Sequence, residues 1–221
     1  MSGELYFRYP ILDLTYGQRF IRRTGYTTLH IILAVAAVVM LFSDVSNLFL
    51  LGVLASAYLL FRFGIKLIRS KPRIRFRGGN LLEFTAPRTK KIILAAYDRS
   101  VFLGGSFLLY LARELIEEPM IIRVLKGLDV GRDEFISKLE AYLADERGIK
   151  ETNIWRQAKL EEAMIQAFIL QESEKSPISP FHLFVALPHT DNEKVRRLFV
   201  LFGLGTDNLT RAARYHSLIS V

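Results

Sequence analysis

Two apolar stretches, Val124–Val130 (VLKGLDV) and Leu198–Leu204 (LFVLFGL), lie 74 residues apart and share one pattern. A second pair, Leu108–Ala112 (LLYLA) and Leu183–Leu187 (LFVAL), lies 75 residues apart. In each copy, a longer amphipathic segment comes before these stretches and a polar-capped segment follows them. Self-similarity at a fixed spacing indicates a repeat, and apolar residues at helical spacing indicate helices. Residues 82–221 are therefore predicted to form two helical copies around one core.

The composition separates this chain from several classes of protein. Of its 221 residues, 51% are hydrophobic and 24% are charged, which excludes a disordered chain. The absence of cysteine excludes disulfides, thiol catalysis and cysteine-ligated metal sites. A net charge of +8 first suggests nucleic acid, but residues 1–80 carry the whole excess, beside the most apolar runs. Basic residues that flank apolar runs are typical of membrane topology, so we expect no nucleic-acid partner.

Those apolar runs predict a membrane hairpin. Residues 25–42 form an 18-residue stretch without a formal charge, and a second uncharged run covers residues 45–61 after a short polar turn. Each run is close to the roughly 17–25 residues that span a bilayer as a helix. We therefore predict a two-helix transmembrane hairpin over residues 25–70, with close helix contact at the small residues Gly52, Ala55, Ser56 and Ala57. The alternative is a buried hairpin inside a soluble bundle.

The basic residues predict the orientation of this hairpin. Arginines precede the first apolar run and lysines and arginines follow the second, whereas the turn between them has none. The positive-inside rule then makes both termini cytoplasmic, in a multi-pass protein of the cell (inner) membrane. Residues 1–24 are expected to form a membrane-surface approach segment, and residues 71–81 a basic linker. The residues expected to contact anionic lipid are Arg62, Lys66, Arg69, Lys71, Arg73, Arg75 and Arg77, although a plain stop-transfer signal also explains them.

A family resemblance follows from the opening motifs of the two copies. These read Leu103–Leu109 (LGGSFLL) and Ile178–Phe184 (ISPFHLF), each ahead of one of the paired apolar stretches. The order and spacing resemble the N-terminal double-repeat domain of Clp AAA+ unfoldases, the Clp-N domain, over roughly residues 82–217. The resemblance implies a pseudo-twofold all-α bundle that docks adaptor or client proteins. Its motif places the protein-binding residues at Ser106, Phe107, Phe181 and His182.

One departure from the family pattern limits what the resemblance implies. Some family members use a glutamate of this motif to hold phosphorylated arginine or adaptors, and here Ser106 and Phe181 occupy the matching positions. Neither side chain can pair with a guanidinium, so that activity is not carried over. His182 keeps the histidine of the motif, and we expect it to be buried and hydrogen-bonded rather than reactive.

Motifs for catalysis are missing from the sequence. There is no phosphate-binding loop, and His189 with Glu193 lacks a third metal ligand. We therefore expect a non-enzyme with no cofactor and no metal. The hypothesis is a membrane-anchored interaction module for clients or adaptors of a Clp-type unfoldase or protease in bacterial protein quality control. The alternative is a structural or scaffolding membrane protein whose helical cytoplasmic domain is unrelated to Clp.

Overall fold

The structure is a computed structural model that describes residues 5–68, 79–171 and 177–219. The described part is built from α-helices and short 3-10 turns, and its two β-bridges are isolated, so the all-α prediction is confirmed. It divides into two compact units. One unit contains residues 14–68, and the other combines residues 5–13 with the described residues from 79 onward.

The first unit is a helical hairpin. Its helices are α1 (Tyr16–Leu41) and α2 (Ser46–Ile68), and Thr15 begins α1 with a capping box completed by Gln18. The two helices approach closely at Gly52, because a Cβ atom there would meet the Leu41 nitrogen at 2.9 Å. The prediction that Gly52 permits close contact is therefore confirmed.

The hairpin exposes most of its large apolar side chains. Only Ala37, Gly52 and Leu59 are buried among the residues from 31 to 61. No helix in the described part of the chain combines the length and the apolar character needed to cross a membrane. The exposed apolar side chains of this region are Ile31, Ile32, Val35, Val38, Val39, Phe42, Val45, Leu48, Phe49, Leu50, Leu51, Val53, Leu54, Tyr58, Leu60 and Phe61.

The second unit, called here the eight-helix domain, contains α3 to α10 together with residues 5–13. Its helices fall into two sets of four. The first set contains helices of 17, 9, 9 and 14 residues, and the second has helices of 17, 7, 9 and 14 residues. They are α3 (Pro87–Leu103), α4 (Phe107–Leu115), α5 (Pro119–Gly127), α6 (Arg132–Asp145), α7 (Asn153–Ile169), α8 (Pro180–Ala186), α9 (Glu193–Leu201) and α10 (Thr206–Ile219).

The contacts between the two sets stay the same when the sets are exchanged. Helix α3 contacts α8, and α7 contacts α4. Helix α5 contacts α10, and α9 contacts α6. Helix α4 contacts α9, α8 contacts α5, and α4 and α8 contact each other. Equivalent helices therefore have equivalent neighbours in this fold.

An aromatic cluster joins the two sets inside the core. Phe135 of α6 lies edge to face with Phe199 of α9, at 5.9 Å between ring centroids. It also contacts Phe184 of α8 at 6.3 Å and Phe202 at 5.1 Å. Phe135, Phe184 and Phe199 are fully buried. Packing of this kind holds α6 of the first set against α8 and α9 of the second.

The N-terminal segment is part of the core of the eight-helix domain. Phe7 and Leu12 are buried in the same apolar cluster as the helices. The Phe7 backbone N–H donates to Glu161 Oε1 at 3.1 Å, and the Tyr97 hydroxyl donates to the Leu12 carbonyl oxygen at 3.4 Å. Burial of these side chains fixes the segment on the domain.

This arrangement differs from a boundary predicted from the sequence. The sequence predicts a membrane-surface approach segment over residues 1–24, whereas the structure packs residues 5–13 in the eight-helix domain and begins α1 at Tyr16. Backbone pairing supports the observed boundary. The Leu81 N–H donates to the Tyr6 carbonyl oxygen at 2.9 Å. The Asn80 side-chain amide donates to the Arg8 carbonyl oxygen at 2.7 Å.

Candidate protein-docking site

The four predicted protein-binding residues lie at the starts of α4 and α8. Phe107 is fully buried, with its ring edge to face on Tyr97 at 6.0 Å between centroids. Phe181 is also buried, and His182 is half-buried. The two phenylalanine rings are therefore not available to a partner. Ser106 is buried too, but it lines a surface cleft.

That cleft, called here the docking cleft, lies between the two sets of helices. It has a volume of about 400 Å³, within the range of ligand sites in proteins. Its walls come from the start of α4, the segment between α6 and α7, the first turn of α7 and the start of α9. The lining residues are Ser106, Glu146, Ile149, Lys150, Glu151, Thr152, Trp155 and Asn192.

Close contact between two loops shapes the docking cleft. The Gly105 N–H donates to the Ile149 carbonyl oxygen at 2.8 Å. Gly104 has a φ of +74°, and a Cβ atom there would lie 3.2 Å from the Gly148 nitrogen. A side chain at this position would be strained by the backbone angle and would push the loops apart. Glycine at 104 therefore holds the α3–α4 loop against the segment that connects the two sets.

Polar groups on the floor of the cleft are bonded to one another. The Ser106 N–H donates to Glu146 Oε2 at 3.1 Å, and the Phe107 N–H donates to Glu151 Oε2 at 3.0 Å. Carboxylates at this position satisfy amides at the N-terminus of α4 and favour its dipole. The Asn192 side-chain amide also donates to Ser106 Oγ at 3.0 Å. The floor is thus a rigid link between the two sets.

Glu151 also pairs with a buried guanidinium. Its Oε2 lies 3.7 Å from Arg156 Nε, and both side chains are almost entirely buried. Burial raises the pKa of Glu151, while the hydrogen bond from the Phe107 N–H and the charge of Arg156 oppose that rise. Arg156 Nη2 reaches back to donate to the Ser100 carbonyl oxygen of α3 at 3.3 Å. The pair therefore ties α7 to the first set of helices.

Exposed apolar side chains form the rim of the cleft. Ile149 is 57% exposed and Trp155 is 43% exposed, and both line the cleft. Ile154, which precedes Trp155 in the first turn of α7, is 82% exposed. The Lys159 ammonium lies 5.2 Å from the centre of the Trp155 ring and 3.2 Å from Asp191 Oδ2, which holds one side of the ring in place. An apolar rim above a polar floor is suited to binding another polypeptide.

The sequence did not single out Ile149, Ile154 or Trp155 as candidate site residues. A signal for them was available. An Ile-Trp pair follows the polar run Lys150–Asn153 at the first turn of a helix, where its side chains have few apolar neighbours in sequence. Apolar side chains in such a position tend to be exposed.

The predicted lipid-contact residues are only partly within the described structure. Arg62 and Lys66 belong to α2, and their side chains are not among those described. The others, Arg69, Lys71, Arg73, Arg75 and Arg77, lie outside the described residues. Within the described residues there is no cluster of three or more His, Cys, Asp or Glu side chains that could hold a metal ion.

Comparison with known proteins identifies no relative of this chain. No protein-family model, no curated protein and no solved structure matches this chain.

His182 gives the domain a testable pH dependence. Its Nδ1 accepts the Ser179 N–H at 3.2 Å, and Ser179 Oγ accepts the His182 N–H at 3.3 Å. Burial lowers the pKa of His182. The unfolded chain therefore takes up a proton near pH 6.5 that the folded chain takes up only at lower pH. Above about pH 6.5, neutral His182 makes its full contribution to the free energy of unfolding. That contribution is lost as the pH falls from about 6.5 towards the lower pKa of the folded state.

We expect His182→Gln to flatten this dependence, because glutamine keeps a capping acceptor and does not titrate. Below about pH 6.5 the free energy of unfolding of the wild type should fall faster than that of the variant, by at most about 1.4 kcal/mol per pH unit. Urea titrations at several pH values, followed through the single tryptophan, measure the difference. Above about pH 7.5, where His182 is neutral in both the folded and the unfolded chain, the free energies of the wild type and the variant should change in parallel. Parallel profiles for wild type and His182→Gln at the lower pH values as well would contradict the prediction.

Proposed function

We propose that this chain is a membrane-anchored protein-interaction module of the Clp-N type. The eight-helix domain docks client or adaptor proteins for a Clp-type AAA+ unfoldase or protease, and it performs no catalysis of its own. The helical hairpin holds it at the membrane, so that tethering raises the local concentration of the domain for partners at that surface. The observation that carries the proposal is the exposed apolar rim of the docking cleft.

The arrangement of the helices supports a double repeat. Two sets with nearly equal helix lengths and exchangeable contacts are what a duplicated four-helix unit with a pseudo-twofold axis produces. The opening motifs that resemble Clp-N begin near the N-termini of α4 and α8, at equivalent places in the two sets.

An unfolded polypeptide segment with apolar side chains fits the docking cleft best. The polar groups of its floor already bond to one another, so they offer few free partners for a charged ligand. The cleft presents the exposed side chains of Trp155 and Ile149, and the exposed Ile154 is the sequence neighbour of Trp155. Exposed aromatic anchors of this kind carry much of the binding energy in protein interfaces.

The docking proposal is tested by binding an unfolded protein to the purified full chain in detergent. The probe is reduced, carboxymethylated α-lactalbumin with a fluorescent label, and fluorescence anisotropy gives the dissociation constant. We expect Trp155→Ala to raise this constant about tenfold or more, because a hot-spot aromatic contributes about 2 kcal/mol. Ile154→Ser should weaken binding in the same direction.

A matched control lies on the same helix. Ile169 is also exposed, at the opposite end of α7, about 22 Å from Ile154 along the helix axis. Ile169→Ser removes the same surface from the same element and should leave the dissociation constant unchanged. Equal losses from Ile154→Ser and Ile169→Ser would indicate nonspecific adhesion, and no binding by the wild type would refute docking of unfolded clients.

Membrane anchoring is the second part of the proposal. Its support is the number of apolar side chains exposed on the hairpin, and not the length of an apolar helix. Sixteen large apolar residues between Ile31 and Phe61 are exposed on the hairpin. Exposed apolar surface of this extent marks a membrane or protein contact. The basic residues that follow in sequence, between 62 and 77, are suited to anionic headgroups at the cytoplasmic face.

The orientation is tested with single cysteines, which the native chain lacks. Ser46 begins α2 beside the turn, and Ser137 is exposed on α6. In intact cells an impermeant maleimide should label Ser46→Cys and should label Ser137→Cys only after permeabilisation. Labelling of Ser137→Cys in intact cells would reverse the orientation. Release of the chain from membranes by alkaline carbonate would refute anchoring by the hairpin.

A further inference from the structure

A second pocket, called here the arginine pocket, shares no lining residue with the docking cleft. Its volume is about 320 Å³, and its walls come from α3, α4, the C-terminal part of α6 and the turn that follows α6. Cationic, apolar and phenolic groups meet in it. The lining residues are Arg99, Leu103, Tyr110, Arg113, Glu140, Leu143, Ala144 and Arg147.

Among the residues that the structure describes, one guanidinium of the pocket has no hydrogen-bond or ion-pair partner. Arg113 donates to Glu117 and to Glu140, the latter at 3.2 Å. Arg99 pairs with Glu114 at 2.5 Å, so the guanidiniums of Arg99 and Arg113 are already compensated. The side chain of Arg147 makes no hydrogen bond or ion pair with any residue that the structure describes. A guanidinium at the wall of a cavity is a strong donor to a planar oxyanion.

Tyr110 brings a second unused donor into the pocket. Its side chain is only 7% exposed, yet its hydroxyl has no hydrogen-bond partner within the described part of the chain. Burial raises the pKa of Tyr110, and the charges of Arg147 and Arg99 oppose the rise, which places the hydroxyl near both guanidiniums. The hydroxyl oxygen itself is not fully buried, so a ligand in the pocket can reach it and accept its proton in a hydrogen bond.

An apolar wall faces these donors. Leu103, at the end of α3, is partly exposed, and Leu143 and Ala144 of α6 complete the wall. A ligand that fills the pocket therefore needs an anionic group beside an apolar one. A carboxylate next to a branched aliphatic side chain, as at the end of a peptide, has this chemistry.

We infer that the arginine pocket binds a carboxylate attached to an apolar group, with Arg147 and Tyr110 as the donors to its oxygens and Leu103 and Leu143 against its aliphatic part. The inference does not rest on the docking cleft or on membrane anchoring, since it uses different residues. It assigns to the eight-helix domain a site for the apolar C-terminal residue of a polypeptide.

The test uses N-acetyl-leucine as the probe and N-acetyl-leucinamide as its uncharged counterpart. Saturation-transfer NMR with the full chain in detergent micelles detects binding in the millimolar range. We expect the acid to bind saturably and the amide to show no saturable binding. Arg147→Gln should raise the dissociation constant of the acid about tenfold, the size expected for one charge-assisted hydrogen bond. Tyr110→Phe, which keeps the ring, should raise it severalfold.

The matched control is Arg123→Gln. Arg123 is an exposed arginine on α5 that donates to its own Pro119 carbonyl oxygen, and it does not line the pocket. This variant should bind N-acetyl-leucine as the wild type does. Equal binding of acid and amide, or wild-type affinity in both Arg147→Gln and Tyr110→Phe, would overturn the inference. Competition distinguishes a carboxylate site from a phosphate site. Acetate should displace the probe at lower concentrations than inorganic phosphate does. The reverse order would overturn the assignment to a carboxylate.

Discussion

Replacing Phe135 with alanine should lower the free energy of unfolding of the eight-helix domain by about 3–5 kcal/mol, the cost of removing a buried aromatic ring from a packed core. Phe135 is fully buried, and its ring contacts Phe184, Phe199 and Phe202 of the second set of helices. A loss of this size is a large part of the roughly 5–15 kcal/mol that stabilises a typical domain. Urea unfolding of the full chain in detergent, followed through the single tryptophan, measures it.

Two substitutions define the cause of this loss. Phe135→Leu keeps most of the apolar volume and should cost much less than the alanine variant. Phe102→Ala removes the same ring from a surface position, because Phe102 is 76% exposed, and should change stability by less than about 1 kcal/mol. If Phe135→Ala unfolds at the wild-type urea concentration, the two sets of helices are not held together by this cluster.

Glu151→Ala should lower the free energy of unfolding by about 3 kcal/mol or more. The substitution leaves the Arg156 guanidinium buried without its carboxylate and removes the acceptor for the Phe107 N–H at the start of α4. Breaking one side of a buried ion pair typically costs about 3–5 kcal/mol, because the remaining charge has lost both water and partner. The same tryptophan-detected urea titration gives the value.

A double-mutant cycle separates the contribution of the Glu151–Arg156 ion pair from that of the hydrogen bond between Glu151 and the Phe107 N–H. Arg156→Met replaces the guanidinium with an apolar side chain of similar length, so Glu151→Ala should cost less in that background than in the wild type. The cost that remains belongs to the lost bond with Phe107. Identical costs in the two backgrounds would show that Glu151 and Arg156 do not interact. Glu193→Ala, at an exposed partner of Arg197, is the surface control and should cost less than about 1 kcal/mol.

The helices of this protein are predictable because their apolar residues follow a local periodicity. The stretches Leu108–Ala112 and Leu183–Leu187 lie in α4 and α8, and both carry the buried face of a short helix. The order of long and short elements was visible from the same pattern. Gly52 was also predictable, since a small residue in an apolar helix is the usual place for another helix to approach.

The path of residues 5–13 could not be predicted in this way. Phe7 and Leu12 have no helical or alternating spacing, and their partners Glu161 and Tyr97 lie 154 and 85 residues away. Only the assembled core shows where such side chains are buried. The aromatic and basic composition of the segment favoured a membrane surface instead.

The positions of the candidate sites were predictable only in part. Ser106 was chosen from the opening motif and does line the docking cleft, but the motif says nothing of the burial of Phe107 and Phe181. The arginine pocket combines Tyr110 and Arg147, which are remote in sequence and become neighbours only when α4 packs on α6. The spacing of residues in the sequence does not reveal that these two side chains lie close together.

The discontinuous make-up of the eight-helix domain has a consequence for its biosynthesis. Phe7 leaves the ribosome well before Glu161, which bonds to its N–H and is made 154 residues later. At about 5–20 residues per second, this delay lasts roughly 8–30 s. During that interval Phe7 and Leu12 have no core to enter, while the nascent hairpin has already emerged. The native contacts of this segment therefore form only after most of the domain has been synthesised.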